Sequence, residues 1–247
     1  MTHPPVQGKL YGVGVGPGDP ELLTLKAQRI IRSADVIAVP VSRPGDRGYA
    51  FELAAPYLRP AQRFERLLFS MAPDVAMRLA HRRAAAEKVL KHINAGDIVA
   101  FLTEGDPTIH STFLYVLAEM PEGVEIEIVP GVSAITAAAA QAGIPLVNGD
   151  DRLAVLPAVF EEDEAFLRSV LGSFDTVVLL KAHRKLDWLL PLLDELGLLD
   201  NAVWVERATH PAGRVVRDLR SLSNAGDLHY LSLLIVRRAG VERADAD

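Results

Sequence analysis

One loop of the sequence carries three ionisable side chains among turn-forming residues, directly after a short apolar run. The segment 101–112 contains Glu104, Gly105, Asp106 and His110. In α/β proteins, ligands bind at the carboxyl ends of buried strands. Gly105 allows the backbone to approach a ligand closely, while Glu104 and His110 bring a carboxylate and an imidazole to the same rim. Both are groups that can take up or release a proton near neutral pH.

Two further loops have the same character. The segment 12–19 has glycine at every second position after the first predicted strand, and the segment 129–134 follows another strand and begins a helix of small residues. A dinucleotide-binding loop needs glycines two and then three positions apart, and Pro17 lacks the N–H that a phosphate site would use. No Gly-Lys-Ser/Thr follows. A tight strand-to-helix turn therefore remains the structural alternative to a ligand-binding loop.

The composition excludes several classes of site. The chain has 247 residues, a net charge of −6 and no cysteine, so disulfides, thiolate nucleophiles and cysteine-ligated metals are ruled out. No histidine pair has metal-ligand spacing, and we expect no bound metal. The acidic balance argues against nucleic acid as a partner. The amino terminus lacks the pattern of a signal peptide, and no apolar run is long enough for a membrane helix. We expect a soluble, cytoplasmic protein.

Apolar runs and helical segments alternate, which predicts an α/β protein. The predicted strands lie at 9–15, 35–39, 97–102, 124–129, 153–159, 176–180, 202–205, 214–219 and 230–236, and the predicted helices at 20–32, 74–94, 112–120 and 133–142. We expect the second strand to end at Pro40. Residues 121–123, Pro-Glu-Gly, are the best candidate boundary. The sequence therefore predicts two α/β domains, 1–121 with a mostly parallel sheet and 122–247 with a mixed sheet.

The three loops together resemble those of the tetrapyrrole (class III) S-adenosylmethionine-dependent methyltransferases. The matching segments are 12–19, 22–24, 104–107, 130–134 and 142–145. The segments 105–113, 181–184 and 205–209 are similar to those of precorrin-2 methyltransferases that act on carbon 20 in cobalamin synthesis. Enzymes that methylate uroporphyrinogen have Gly-Arg-Gly-Gly after the Gly-Asp-Pro, whereas this chain has Ser111-Thr112. The likeness extends over nearly the whole chain.

This resemblance implies a two-domain α/β fold that binds S-adenosyl-L-methionine in the cleft between the domains, and it implies a homodimer. Carried over residue by residue, the implied cofactor contacts are Pro17, Glu104, Gly105, Asp106, Ile109, Ser133, Ala134, Lys181 and Ala208. Lys181 stands where relatives that methylate uroporphyrinogen have a methionine. Methyl transfer from a sulfonium is an in-line displacement, so positioning of donor and acceptor does most of the work.

The implied acceptor is a reduced tetrapyrrole with many carboxylates, and an acidic protein must concentrate positive charge to bind it. The candidate substrate-binding residues are Arg43, Arg47, His183 and Arg184, with Lys181, Arg82 and Arg83 as further possibilities. The nucleophile is a carbon of the substrate, so the enzyme has to stabilise charge and accept a proton. Glu104 and His110 are the candidates for that role. Support of the loop by Glu104 and polar packing by His110 are the structural alternatives.

The resemblance therefore implies methylation of precorrin-2 at carbon 20, which yields precorrin-3A and S-adenosyl-L-homocysteine. A cobalt-bearing precorrin-2 or another tetrapyrrole is the nearest alternative acceptor. A methyltransferase for ribosomal RNA or for the diphthamide precursor is an alternative of a different class, against which the acidic balance weighs. A protein that only binds its ligand is the third alternative.

Overall fold

The computed structural model describes residues 8–70, 74–158, 163–224 and 228–240. The chain forms two compact units, Met1–Ser133 and Ala134–Asp247. The predicted boundary lies at 121/122, before the strand at Glu125–Val129. That strand pairs in parallel with Lys9–Gly14 of the first unit, which is why the division falls after it rather than before it.

The first unit contains one sheet of five strands, all of them parallel. They are β1 (Lys9–Gly14), β2 (Val36–Val41), β3 (Arg63–Leu68), β4 (Ile98–Thr103) and β5 (Glu125–Val129). Their order in the sheet is β3-β2-β4-β1-β5, and β1 lies between β4 and β5. The predicted parallel sheet is confirmed. Because the strands are parallel, the loops after β1, β4 and β5 leave from the same edge.

Helices cover both faces of this sheet, as a parallel sheet requires. They are α1 (Leu25–Ser33), α2 (Tyr49–Ala54), α3 (Val75–Asn94) and α4 (Phe113–Leu117), with short 3₁₀ helices at Pro20–Leu22 and Ala55–Tyr57. The helices α1 and α2 share a core with alternate strand residues such as Val13 and Leu102. The helices α3 and α4 pack on the other face, against residues such as Leu10 and Phe101.

Local sequence signals explain where two of these helices begin. Thr24 precedes α1, and its side-chain oxygen accepts a hydrogen bond from the Ala27 amide at 3.1 Å. Asp74 caps α3 in the same way through the Ala76 amide at 2.9 Å. Such caps satisfy amides that have no partner inside the helix. The predicted helix over 74–94 is thereby confirmed with its cap.

The prediction that Pro40 ends the second strand is wrong. Strand β2 continues to Val41, and Pro40 pairs with Leu67 of β3. Pairing of β2 with β4 ends earlier, at Ala38. A proline is tolerated in a strand where one side of the ladder is open. Strand β3 and helix α2 were not predicted, because their residues show neither a clear apolar run nor a full helical period.

The second unit contains a mixed five-stranded sheet, as predicted. Its strands are β6 (Leu153–Pro157), β7 (Thr176–Leu180), β8 (Ala202–Glu206), β9 (Arg214–Val216) and β10 (Ser232–Arg237). Their order is β6-β7-β10-β8-β9. Among the neighbouring strands of this sheet, β6 and β7 pair in parallel, whereas β10 runs antiparallel to both β7 and β8 and β9 runs antiparallel to β8. The residues just before β10 therefore lie at the same edge as those just after β7 and β8.

The described residues of this unit include three helices, α5 (Ala134–Ala142), α6 (Glu164–Ser173) and α7 (Leu186–Glu195), and 3₁₀ turns lie at Ala182–Arg184, Leu199–Asn201 and Leu219–Asn224. Of these helices, α6 and α7 share a core with the fully buried Trp204, while α5 contacts β8 and β10. The sequence predicted α5 but not α6 or α7. In the described part of the chain, no helix is long and apolar enough to cross a membrane.

Candidate functional site

In the first unit, the helices that follow the adjacent strands β1 and β4 lie on opposite faces of the sheet. Strand β1 leads into α1 on one face of the sheet, whereas the adjacent β4 leads into α4 on the other. Loops that diverge in this way leave a crevice at the carboxyl edge, which is where α/β sheets bind ligands. The predicted loops 12–19 and 101–112 both start at this point. The third loop, 129–134, follows β5 on the other side of β1.

The three loops contact one another through glycines. A Cβ atom built on Gly14 would lie 2.6 Å from the carbonyl oxygen of Gly105, and one built on Gly131 would lie 2.2 Å from the same oxygen. The Gly105 amide donates to the Gly16 carbonyl at 2.8 Å. Gly105 has a φ of 66°, a conformation that favours glycine. Close backbone contact explains why these positions lack side chains.

Asp106 joins two of these loops by hydrogen bonds. One carboxylate oxygen accepts from the Gly131 amide at 3.0 Å, and the other accepts from the Thr108 amide at 2.8 Å. The Thr108 hydroxyl also donates to that second oxygen. Burial opposes ionisation of Asp106, but the bonds from Thr108 and Gly131 outweigh it and lower the pKa of the carboxyl. Asp106 is therefore an ionised cross-link between the loops after β4 and β5.

A second internal bond fixes the rest of the loop after β4. The hydroxyls of Thr103 and Ser111 are both buried and lie 2.8 Å apart, and the Ser111 oxygen accepts from the Phe113 amide at 3.0 Å. The Phe113 ring fills the space beside Gly12, where an added Cβ would lie 2.4 Å from it. The sequence indicated the polar residues of this loop but not these pairings.

The loop presents its remaining residues at the rim. Glu104 is half-buried, His110 is exposed with a φ of 51°, and the apolar Ile109 is 39% exposed. Pro17 is buried in the neighbouring loop, and its carbonyl accepts from the Tyr49 hydroxyl at 3.3 Å. Ser133 is half-buried and ends the first unit. The structure thus brings most of the predicted cofactor residues of the first unit to one edge of the sheet.

The predicted basic residues of the first unit divide into two groups. Arg43 and Arg47 are exposed in the loop after β2, which lies beside β4, so they belong to the same carboxyl edge. Arg82 instead stacks its guanidinium 3.5 Å from the centre of the Tyr115 ring, where it joins α3 to α4. Arg83 is an exposed residue of α3. Arg43 and Arg47 therefore lie at the same edge of the sheet as the glycine loops, and Arg82 and Arg83 do not.

The predicted residues of the second unit lie at the ends of its strands and at the start of α5. Ala134 is the first residue of α5, and Ala208 is buried just after β8. Lys181 follows β7 with a φ of 60° and leads into the turn that contains His183 and the exposed Arg184. Burial, and then the charge of Arg184, lower the pKa of His183. The imidazole is accordingly neutral near neutral pH.

The rim of the first unit suits S-adenosylmethionine chemically. The ligand has an aromatic adenine with hydrogen-bonding edges, a positive sulfonium and an amino-acid end. Ile109 provides exposed apolar surface, and the half-buried Glu104 provides negative charge. Within the described ranges, no group of three or more His, Asp or Glu side chains is arranged to hold a metal ion.

Comparisons with known proteins agree with this interpretation. The chain is 39% identical to a probable cobalt-precorrin-2 C(20)-methyltransferase of Methanocaldococcus jannaschii, over 93% of this chain and 96% of that protein. It is 35% identical to a precorrin-2 C(20)-methyltransferase of a Sinorhizobium species, over 82% and 84% of the two chains. A cobalt-precorrin-2 C(20)-methyltransferase of Salmonella typhimurium is 32% identical over 94% and 98%.

Solved structures have the same fold. A cobalt precorrin-4 methyltransferase superposes with a TM-score of 0.73 at 22% identity, covering 98% of this chain and 99% of that one. A uroporphyrin-III C-methyltransferase of Thermus thermophilus, solved with S-adenosyl homocysteine, superposes with a TM-score of 0.64 at 27% identity, covering 94% and 98%. Residues 9–222 match the family described as tetrapyrrole (corrin/porphyrin) methylases. The chain is therefore a methyltransferase that belongs to the tetrapyrrole methylase family.

Proposed function

We propose that this protein transfers the methyl group of S-adenosylmethionine to carbon 20 of precorrin-2, giving precorrin-3A and S-adenosylhomocysteine in cobalamin biosynthesis. The observation that carries the proposal is the likeness to C(20)-methyltransferases over nearly the full length of both chains, at 39% identity in one case. Relatives of both the metal-free and the cobalt-bearing kind match. Cobalt-precorrin-2 is therefore the second candidate acceptor.

The glycine loops of the first unit would hold the donor. Gly105 and Gly131 bring the backbones of two of the loops into close contact at the carboxyl edge of the sheet, where the family resemblance implies the cofactor contacts. S-adenosylmethionine supplies an electrophilic methyl group. The contribution of the chain is to hold that group in line with the acceptor and to keep water away. Asp106 serves this purpose indirectly, because it fixes the spacing between two of the loops.

The acceptor carbon forms its new bond to the methyl group while the bond from that methyl to sulfur breaks, and a proton then leaves the carbon. Glu104 is half-buried at the rim, and His110 is exposed in the same loop. A carboxylate in that place stabilises the positive charge that develops on the substrate and accepts the proton. Glu104 is the proposed proton acceptor, and His110 is the second candidate for that role.

Positive side chains would bind the carboxylates of the acceptor. Arg43 and Arg47 lie exposed on the loop after β2, at the carboxyl edge of the first sheet. Arg184 belongs to the turn after β7 in the second unit, and the neutral His183 of the same turn would contribute a hydrogen bond rather than a charge. Charge-assisted hydrogen bonds from arginine to carboxylate are the strong kind. Ala134, Lys181 and Ala208 remain predicted cofactor contacts from the resemblance.

Incubation with the donor and two acceptors tests the proposal. Purified protein is mixed with S-adenosylmethionine carrying a ¹³C-labelled methyl group and with precorrin-2 or cobalt-precorrin-2, prepared enzymatically without oxygen. We expect a mass gain of one methyl group and a single new ¹³C methyl signal on carbon 20. The ratio of kcat/KM for the two acceptors identifies the natural one. Methylation of uroporphyrinogen III alone, or of neither precorrin, would contradict the proposal.

We also propose that the protein acts as a homodimer in the cytoplasm, as the family resemblance implies. Light scattering during gel filtration measures the mass of the particle, and fractionation of the source cells locates it. The apolar run Phe113–Leu117 cannot form a continuous interface, because Phe113 and Val116 are fully buried in the core of the subunit. A monomer by mass would contradict the dimer.

A further inference from the structure

Two buried hydroxyl groups lie at the two ends of the loop after β4. Thr103 is the last residue of that strand and Ser111 lies two residues before α4, and they are only 3% and 7% exposed. Their side-chain oxygens are 2.8 Å apart, which is a hydrogen-bond distance. Because both side chains are short, this hydroxyl pair brings the two ends of the loop close together. Residues 104–110 therefore form a loop that is closed at its base.

The elements on both sides of the hydroxyl pair are themselves fixed. The Ser111 oxygen also accepts from the Phe113 amide at 3.0 Å, one of the amides at the start of α4 that have no partner within the helix. The Phe113 ring is fully buried. On the other side, the Thr103 carbonyl accepts from the Val15 amide at 2.9 Å. The hydroxyl pair thus links the end of a central strand to the start of a helix that is anchored in the core.

The two candidates for accepting the proton are the direct neighbours of the hydroxyl pair. Glu104 follows Thr103 and is half-buried, and His110 precedes Ser111 and is exposed. The bond between the hydroxyls therefore determines where both of these side chains leave the backbone. The hydroxyls themselves are too deeply buried to contact a ligand, so any effect on the reaction has to pass through their neighbours.

The backbone of His110 has a conformation that needs support. Its φ is 51°, in the left-handed region that residues with a Cβ atom adopt only at a cost in free energy. Such residues persist where the surrounding structure fixes them, and they concentrate at active sites. Ser111 is the next residue, and two hydrogen bonds fix it. The hydroxyl pair thereby supplies part of the support for His110.

A different residue holds the middle of the same loop. Asp106 accepts from the Gly131 amide at 3.0 Å, and this bond lies beside the glycines that the resemblance assigns to the donor. The hydroxyl pair lies instead beside the groups assigned to the proton. The loop therefore has two separate links, a charged one at its middle and a neutral one across its base, and each can be removed without the other.

We propose that Thr103 and Ser111 are positioning residues for the methyl transfer, and that the bond between their hydroxyls holds Glu104 and His110 where the proton leaves the acceptor carbon. This inference rests on the proposed function, which makes Glu104 the proton acceptor and His110 the second candidate. The hydroxyl pair takes no part in the proton transfer itself. Its contribution is alignment, because a small displacement of a catalytic group has a large effect on the rate.

Thr103→Val tests the hydroxyl pair, because valine has nearly the shape of threonine but no hydroxyl. We expect kcat for precorrin-2 methylation to fall about tenfold, less than the loss of about 100-fold expected when the Glu104 carboxylate itself is removed. KM for both substrates and S-adenosylhomocysteine affinity should stay within about twofold, because the link through Asp106 still holds the donor loops. Thr103→Ser keeps the hydroxyl and should restore kcat to within about threefold of the wild type.

Ser111→Ala removes the same bond from the other side. If the two hydroxyls act through the bond between them, the double variant Thr103→Val with Ser111→Ala should be no slower than Ser111→Ala alone. If instead the two losses of kcat multiply, the hydroxyls act independently and the proposal is wrong. Ser111→Ala also carries the test if Thr103→Val does not fold.

Thr176→Val is the matched control. Thr176 is 0% exposed on β7, and its hydroxyl has no hydrogen-bond partner among the residues that the structure describes. The same substitution should therefore leave kcat unchanged and should not lower the unfolding temperature. Thr103→Val should lower the unfolding temperature by about 2–4 °C, the shift expected when a protein of this size loses one buried hydrogen bond.

The remaining outcomes also decide the question. A Thr103→Val variant that loses stability but keeps the kcat of the wild type would show that the bond is only structural, and would overturn the inference. A higher KM for S-adenosylmethionine with unchanged kcat would assign the hydroxyl pair to the donor site and overturn it as well, and so would a Thr103→Ser variant as slow as Thr103→Val. Failure of the proposed function is recognised separately, because the wild-type protein then methylates neither precorrin-2 nor cobalt-precorrin-2.

Discussion

The carboxylate of Asp106 accepts a hydrogen bond from the backbone amide of Gly131 at 3.0 Å, so a residue after β4 holds the first turn after β5. The same carboxylate accepts from the Thr108 amide with its second oxygen. Both oxygens are therefore engaged inside the protein. The cofactor role predicted for Asp106 is best explained through the loops that it positions.

Asp106→Asn tests this cross-link. An asparagine has one acceptor oxygen and one amide donor, so it cannot accept from Thr108 and Gly131 at once. We expect stability to fall by about 1–3 kcal/mol, the typical contribution of a hydrogen bond to a charged group, and S-adenosylhomocysteine affinity to fall about tenfold, or about 1.4 kcal/mol. Calorimetric titration and thermal unfolding measure the two effects.

The matched control for that variant is Asp163→Asn. Asp163 caps α6 by accepting from the Phe166 amide at 3.0 Å, and asparagine caps helices about as well as aspartate. This variant should leave stability and affinity unchanged. Wild-type nucleotide affinity in Asp106→Asn would show that the loops keep their spacing without the cross-link.

Gly131→Ala tests the close contact of the glycine loops. The new methyl group would lie 2.2 Å from the Gly105 carbonyl oxygen, which belongs to the backbone, so the loops must separate. We expect a loss of about 1–3 kcal/mol in stability, as for other overpacked sites, together with weaker S-adenosylhomocysteine binding. Gly172→Ala in α6 meets nothing within 4 Å and serves as the control. Equal changes in stability and in S-adenosylhomocysteine binding for the two variants would show that the close contact at Gly131 is not important.

Glu104→Gln tests the proposed proton acceptor. Glutamine keeps the size of the side chain but removes its charge and basicity. Because positioned bases typically contribute 100-fold or more, kcat for precorrin methylation should fall about 100-fold while S-adenosylhomocysteine affinity stays within twofold. Glu119→Gln changes an exposed carboxylate at the end of α4 and should have no effect. If Glu104→Gln retains kcat within a few-fold, the carboxylate only supports its loop.

Arg43 and Arg47 are tested together by a double change to alanine. Each exposed charge contact contributes on the order of 1 kcal/mol, so we expect KM for the tetrapyrrole to rise roughly tenfold or more at low salt, where screening is least. S-adenosylhomocysteine affinity should not change. The paired control is the double change of Arg29 and Arg32 to alanine on α1, which removes the same charge. If KM for the tetrapyrrole is the same in the Arg43 and Arg47 double variant as in the control, neither Arg43 nor Arg47 binds the substrate.

Glu127 provides a test of stability against pH. Ion pairs with Lys26 at 2.6 Å and Lys9 at 2.9 Å lower the pKa of Glu127 to about 2. A carboxyl with a lowered pKa in the folded state stabilises it fully above its unfolded pKa, near 4.5, and loses that effect as the pH falls. Glu127→Gln should therefore lower the unfolding temperature at pH 7 and make little difference near pH 2. If the difference in unfolding temperature between Glu127→Gln and the wild type is the same at every pH, the ion pairs of Glu127 do not cause it.

The sequence predicted those features of the site that depend on spacing along the chain. Alternating glycines, a Gly-Asp-Pro turn and small residues after a strand are local signals, and they identified all three loops. The bond from Asp106 to Gly131 spans 25 positions, and no local pattern indicates which partner a carboxylate chooses. Strand β3, with the sequence RFERLL, alternates too little to be recognised. Its place is set by pairing with β2, which is a property of the folded sheet.

The position of β1 between β4 and β5 constrains the order in which the first unit can assemble. Lys9 pairs with Ile98 on one side and with Glu125 on the other, so β1 gains its neighbours only after β4 and β5, which come later along the chain, have been synthesised. Contacts this distant along the chain slow folding, because loop closure precedes any gain from pairing. A nascent chain cut short before Glu125 leaves an edge of β1 open. Until β5 has been made, that open edge is exposed to pairing with other chains, so it is the aggregation-prone part of the incomplete sheet.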